Sequence, residues 1–124
     1  MTVDRLEAFY LAMFRQYDLF FAACMVWAPG VPAAWLDLPL PGESFYLWLT
    51  AVLLTMLALL YVQAARDPRR YSAIVVVAVF GRLLGAAVFL IAALRGTRLE
   101  GLYPLAAADA LFGAAHAVFW WRIR

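Results

Sequence analysis

The chain has no lysine, one cysteine and one histidine, and each scarcity removes a class of function. A lone Cys24 excludes an intrachain disulfide, a CxxC redox pair and an iron–sulfur cluster. In the first apolar run such a cysteine is expected to act as a small packing residue. A lone His116 excludes a bis-histidine haem within one chain, and the scattered acids around it make no recognised metal-ligand spacing. Neither a metal nor a cofactor is therefore expected. Charge is scarce too: ten arginines and eight acids in 124 residues leave a formal net charge of +2. No basic cluster interleaves with aromatics, so nucleic acid is not an expected partner. The start of the chain has neither a basic n-region nor a small-residue cleavage site, which predicts no removable signal peptide.

What is abundant is apolar surface. Hydrophobic residues make up 68% of the chain and the mean hydropathy is +0.85. Soluble domains carry about 45–50% apolar residues. A soluble fold of this length would leave large apolar patches in water. The chain therefore reads as an integral membrane protein. Arginine in place of lysine, with many alanines, suggests GC-rich bacterial coding.

Four apolar runs, at about 8–28, 45–65, 71–94 and 102–121, each approach the ~20 residues a bilayer requires. They predict an all-α, integral membrane four-transmembrane-helix bundle forming a single domain over 1–124. Asp4, with Glu7 three residues on, reads as a capping box that opens the first helix, and Pro29-Gly30 closes it. This span carries Arg15, Gln16 and Asp18 and is the least apolar. Arg66-Asp67-Pro68 ends the second run and Arg95-Gly96 the third. Pro104 lies in the first turn of the fourth.

Arginines separate by side. Arg5, Arg66, Arg69, Arg70, Arg122 and Arg124 lie on one side, and only Arg95 and Arg98 on the other. The positive-inside rule puts both termini in the cytoplasm. Aromatic belts agree, with Trp27, Trp35, Tyr46, Trp48 and Tyr103 expected at the outer face. Tyr61, Tyr71, Trp120 and Trp121 are expected at the inner one. The outer connection, 29–44, holds Pro29, Pro32, Pro39 and Pro41. Between them Val31, Trp35, Leu36 and Leu38 can form a short segment at the membrane surface, either a tether across the helix ends or a substrate lid.

Arg82 is the one charged residue in the run Tyr71–Leu94. Near the hydrocarbon midplane a charge costs roughly 3 kcal/mol or more unless it finds a partner or water. At ~1.5 Å of rise per residue, Arg82 lies ~16 Å from the inner face, with Asp109 ~10 Å and His116 ~21 Å from the outer one. Asp18 falls near mid-depth of the first run. These four residues are expected to form one buried polar layer. It is either an ion pair of Arg82 with Asp109 or Asp18 that fixes helix register, or a polar pocket or proton path. A local Arg15–Asp18 pair at i,i+3 would leave Asp109 to Arg82. Asp109, Gly113, His116 and Trp120 share one helical stripe.

Gly81 and Gly85 form a GxxxG, extended by Ala78 and Ala92, and Gly113 lies on the facing helix. Small residues let backbones approach in lipid, so these positions are expected to pack helices within the bundle, with dimerisation as the alternative. Ala107, Ala110, Ala114 and Ala117 offer a second small face.

Several segments occur together, in order, over most of the chain: Tyr17-Asp18-Leu19, Ala28-Pro29-Gly30 and Leu36-Asp37-Leu38-Pro39-Leu40-Pro41. Ala65-Arg66-Asp67-Pro68-Arg69-Arg70-Tyr71, Gly81-Arg82-Leu83-Leu84-Gly85 and Asp109 follow. In this the chain resembles the small bacterial DoxX-like membrane proteins. The resemblance implies a four-helix, multi-pass bundle in the bacterial inner membrane and carries no agreed activity. A tryptophan-rich stretch is expected after Asp109 in that family. Here Ala110-Leu111-Phe112-Gly113 follows and the tryptophans come at Trp120-Trp121, so no residue role is carried onto the fourth helix.

Three kinds of function fit. An accessory or scaffold subunit, or a lipid-embedded binding protein, needs the lipid bilayer and either a membrane-protein partner or a second copy. A small oligomeric proton-coupled transporter would cycle Asp18 or Asp109, in a layout like that of the small multidrug resistance transporters. A buried arginine beside such an acid favours its carboxylate and opposes proton cycling. An enzyme acting on a lipid or quinone ranks last, because no nucleophile–base pair, metal cluster or redox cysteine pair is visible. The first is the expected function.

Overall fold

Alanine is the commonest buried residue on the inward faces of the helices. The computed structural model describes residues 3–96 and 98–123. It contains five α-helices and, among the described residues, no strand: α1 (Val3–Trp27), α2 (Gly30–Trp35), α3 (Ser44–Arg66), α4 (Ser72–Arg95) and α5 (Leu102–Ile123). Three of them, α3, α4 and α5, are long and apolar enough to cross a membrane. α1 is of similar length but more polar. Its helix starts at Val3, ahead of the apolar run expected from residue 8. The side chains of Asp4 and Glu7, on which the capping box rests, and Arg124 lie outside the described residues.

On α3 the buried positions are Ala51, Ala58, Tyr61 and Ala64, and on α4 Val75, Ala78, Arg82, Ala86 and Ala93. Their steps of three, four and seven trace one face of each helix. Meanwhile Leu59, Phe80, Leu84, Val88, Leu94 and Leu111 are each more than 60% exposed. In water this inversion would be an aggregation hazard. In a bilayer lipid solvates the large side chains, while alanine lets backbones approach.

α1 packs along α3, and α4 along α5; the two pairs meet more sparsely, through α1–α5 and α3–α4. At one end the pairs close on a core of Leu11, Tyr61, Ala64, Val75 and Ala78, against which Phe112 and Trp120 pack. The turn at that end is braced by Asp67, whose Oδ1 accepts the Arg70 N–H at 3.1 Å and whose carbonyl accepts the Tyr71 N–H at 3.0 Å.

At the opposite end α2 lies in the long connection, where the short segment was expected. It stops in a Schellman arrangement: the Leu38 N–H donates to the Ala33 carbonyl at 2.9 Å and the Asp37 N–H to the Ala34 carbonyl at 3.4 Å. Asp37 takes the left-handed position with φ of 50°. Trp35 stacks on Phe20 of α1, ring centroids 6.2 Å apart and 6° from parallel. On its other side the connection rests on the α4–α5 turn at Gly101, where a Cβ would collide with the Leu36 carbonyl.

Three expectations need correction. Tyr61, placed in the inner aromatic belt, is 3% exposed and belongs to the core. Gly81 faces open space, so of the GxxxG pair only Gly85 meets a neighbouring helix. Ala107, Ala110 and Ala114 are exposed, and the packed small residues of α5 are Ala106 and Gly113 instead.

Candidate functional site: an arginine between two carboxylates

Arg82 reaches α4's inward face at the level where the two helix pairs meet, and both pairs send it an acid. Its Nη2–H donates to Asp18 Oδ1 of α1 at 2.9 Å, and its Nη1–H to Asp109 Oδ1 of α5 at 3.0 Å. Asp18 is fully buried, and Arg82 and Asp109 are less than 10% exposed. The choice between Asp18 and Asp109 thus has the answer both: the guanidinium fork offers separate donors in fixed directions. The local Arg15–Asp18 pair is replaced by this cross-helix one.

Two aromatic rings complete the surroundings. The Arg82 Cζ stands 5.6 Å from the Tyr17 ring centroid, a cation–π distance. Tyr17 is held in turn by Phe21, centroid 4.8 Å away, and edge-on by Phe112 at 6.2 Å. The Tyr61 phenol of α3 interacts with the same guanidinium. Every long helix therefore contributes to one charged cluster. Breaking one partner from a buried pair costs roughly 3–5 kcal/mol, because the remaining charge stays uncompensated. Glycines make room for it. A Cβ on Gly85 would stand 2.8 Å from Asp109 Oδ2, and one on Gly113 would stand 3.3 Å from the Arg82 Cβ.

Above this cluster, away from the closed core, lies a cavity of about 330 Å³. On α1, α4 and α5 its lining begins at the cluster and continues toward the connection, and on α3 it comprises Leu47, Thr50 and Leu54. The floor is Tyr17, Asp18, Arg82 and Asp109; the walls include Met25, Leu54, Phe89 and Leu105; the roof is Pro32, Leu36, Leu38 and Leu40. From Asp18 to Met25 the helix rises about 10 Å. The walls and roof are almost wholly apolar. Thr50, the polar wall residue, donates its hydroxyl to the Tyr46 carbonyl at 2.7 Å. At the floor, Asp18 Oδ2 is buried without a hydrogen-bond partner among the described residues.

His116 interacts electrostatically with Arg82 but stands apart from the two ion pairs. It is fully buried on α5 but sits two turns from Asp109, about 10 Å along the axis, and is not among the cavity's lining residues. Of the four residues expected in one buried polar layer, Asp18, Arg82 and Asp109 are joined by ion pairs, and His116 is buried further along α5. The stripe Asp109, Gly113, His116 does face inward as expected. No group of side chains suited to a metal ion occurs among the described residues.

Tyr17 is a site residue that sequence reasoning passed over, whereas the proline-rich connection, expected as a tether or a substrate lid, does line the cavity. Tyr17 is adjacent to Asp18, yet in the chain it stands out only as part of the segment Tyr17-Asp18-Leu19. The roof's role depends on the connection folding back over the helix ends, which Gly101 allows. No protein-family model, curated protein or solved structure matches this chain.

Proposed function

We propose that this chain is a multi-pass protein of the bacterial inner membrane that binds a small molecule with a large apolar part between its two helix pairs, without catalysis. In this reading α1 is a fourth span and both termini are cytoplasmic. The observation that carries it is the cavity: an apolar chamber, floored by three charged residues and roofed by the connection. Such chambers, apolar with a few convergent polar groups, are the usual form of small-molecule sites. A scaffold subunit needs only its lipid-facing surface and predicts a filled interior. A proton-coupled transporter needs a carboxylate that changes charge during its cycle, whereas Arg82 engages both candidates. The order of segments resembling the DoxX-like proteins is compatible with this arrangement and lends it no activity.

Native mass spectrometry of the protein released gently from its own membrane tests the reading. The expected spectrum contains the chain with a bound small molecule, lost in Leu54→Trp, which fills the chamber. A stoichiometric protein partner with no small-molecule adduct would replace binding with the accessory-subunit role.

A further inference from the structure

The floor of the cavity is not electrically balanced. Two carboxylates, Asp18 and Asp109, face one guanidinium, so with both acids ionised the cluster carries one formal negative charge in excess. The excess has a location. Asp18 is among the residues lining the cavity; its Oδ1 is engaged by Arg82, while its Oδ2 is fully buried and has no hydrogen-bond partner among the described residues. Asp109 differs, because its Oδ2 points into the gap left by Gly85, toward the α4 backbone.

An unpaired buried carboxylate oxygen is expensive, and the expense is removed by a donor from the ligand. A phosphate, sulfate or carboxylate head would bring like charge to this floor. A neutral hydroxyl would satisfy the oxygen and leave the excess charge. A protonated amine does both, as a short charge-assisted N–H···O bond to Asp18 that brings the cluster to neutrality. Its alkyl portion then lies along Met25, Leu54, Phe89 and Leu105 beneath the proline-rich roof.

We propose that the cavity selects cationic amphiphiles, with a single ammonium head seated on Asp18 Oδ2 and one apolar chain directed toward the connection. This rests on the binding role given above and specifies the ligand's chemical class.

The test uses the full-length protein in a non-ionic detergent and three probes of equal chain length: decylamine, decanol and decanoate. Retention of each is read by native mass spectrometry across a concentration series. Decylamine should be retained about tenfold or more tightly than decanol, the low end of what a close buried charge pair contributes. Decanoate should be retained least. In Asp18→Asn the preference for amine over alcohol should fall to near parity while decanol binding persists, which also reports that the fold is intact. Because the comparison among heads is made on the unaltered protein, it stands even if that variant does not fold. Equal retention of all three probes overturns the selectivity and leaves the binding cavity standing. A preference for decanoate overturns the charge assignment. Retention of none of the three overturns the binding role itself.

Discussion

Asp109 Oδ2 fills the space that a side chain at position 85 would need: a Cβ built on Gly85 stands 2.8 Å from it. The second glycine of the GxxxG therefore admits a carboxylate to its arginine, and the motif's usual role in helix dimerisation is not required to explain it. Gly85→Ala should push Asp109 off Arg82 and destabilise the bundle by about 1–3 kcal/mol, as other overpacking changes do. Gly81→Ala meets nothing within 4 Å and should unfold at or above the wild-type point. Unfolding in mixed micelles with increasing SDS compares the two. Equal losses at both positions would return the motif to helix–helix packing.

The ion cluster predicts an unusual order among charge-removing variants. Arg82→Leu leaves two buried carboxylates with no counter-charge and should cost roughly 3–5 kcal/mol. Adding Asp18→Asn and Asp109→Asn to that variant removes the stranded charges, so the triple variant should recover part of the loss. Residues in one network couple by about 0.5–3 kcal/mol, enough to resolve in the same unfolding assay. If the triple variant is weaker than Arg82→Leu by the sum of the single losses, the three residues are not one cluster.

Much of this site is visible in the chain itself. Arg82 announces itself because nothing else in its run is charged, and lipid tolerates no idle charge. Asp18 and Asp109 stand out for the same reason. Which of them meets Arg82 is not encoded locally, since it depends on how α1 and α5 are rotated about α4. Rotation also explains the α5 misreading. Ala106 and Ala107 are adjacent in sequence but about 100° apart around a helix, so composition cannot tell the packed stripe from the lipid-facing one. Tyr61 has a belt residue's composition and a core residue's position. The cavity is the least legible feature, because a void is a property of two helix pairs that meet loosely, and no residue type marks it.

Side-dependent labelling tests the four-span arrangement. In a Cys24→Ser background, single cysteines at Thr2, Gly42 and Arg69 are treated with a membrane-impermeant maleimide. On cells with a permeable outer membrane, Gly42→Cys should label directly, and Arg69→Cys only after the inner membrane is opened. Thr2→Cys should follow Arg69→Cys if α1 crosses the bilayer. Should it follow Gly42→Cys instead, α1 lies on the outer face and the span count falls to the three most apolar helices.

Asp37 closes α2 in a backbone conformation that costs most residues energy, with φ of 50°. Glycine adopts it freely and short polar residues tolerate it, whereas a β-branched side chain does not. Asp37→Gly should keep the Schellman bonds, and Asp37→Val should lose roughly 1–2 kcal/mol of local stability. Hydrogen exchange at the Leu38 amide, bonded to the Ala33 carbonyl at 2.9 Å, reads this directly. Unchanged protection in Asp37→Val would show that the roof does not depend on that termination.

The roof is held from the other side by a close approach at Gly101, and this separates a roof that confines the ligand from one that only ties helix ends together. A Cβ at Gly101 would fall on the Leu36 carbonyl oxygen, which is backbone and cannot swing aside. Gly101→Ala must therefore lift the connection from the α4–α5 turn, taking Leu36 and Leu38 away from the cavity they line. The ion cluster, deeper by about two helical turns, is untouched. Bound decylamine should accordingly be lost more readily from Gly101→Ala, while SDS resistance and helix content stay near wild type. Gly42→Ala, in the same connection but with open space around it, is the control and should retain the probe. If Gly101→Ala holds decylamine as tightly as Gly42→Ala, the connection is only a tether, and the ligand is gripped by the floor and walls alone.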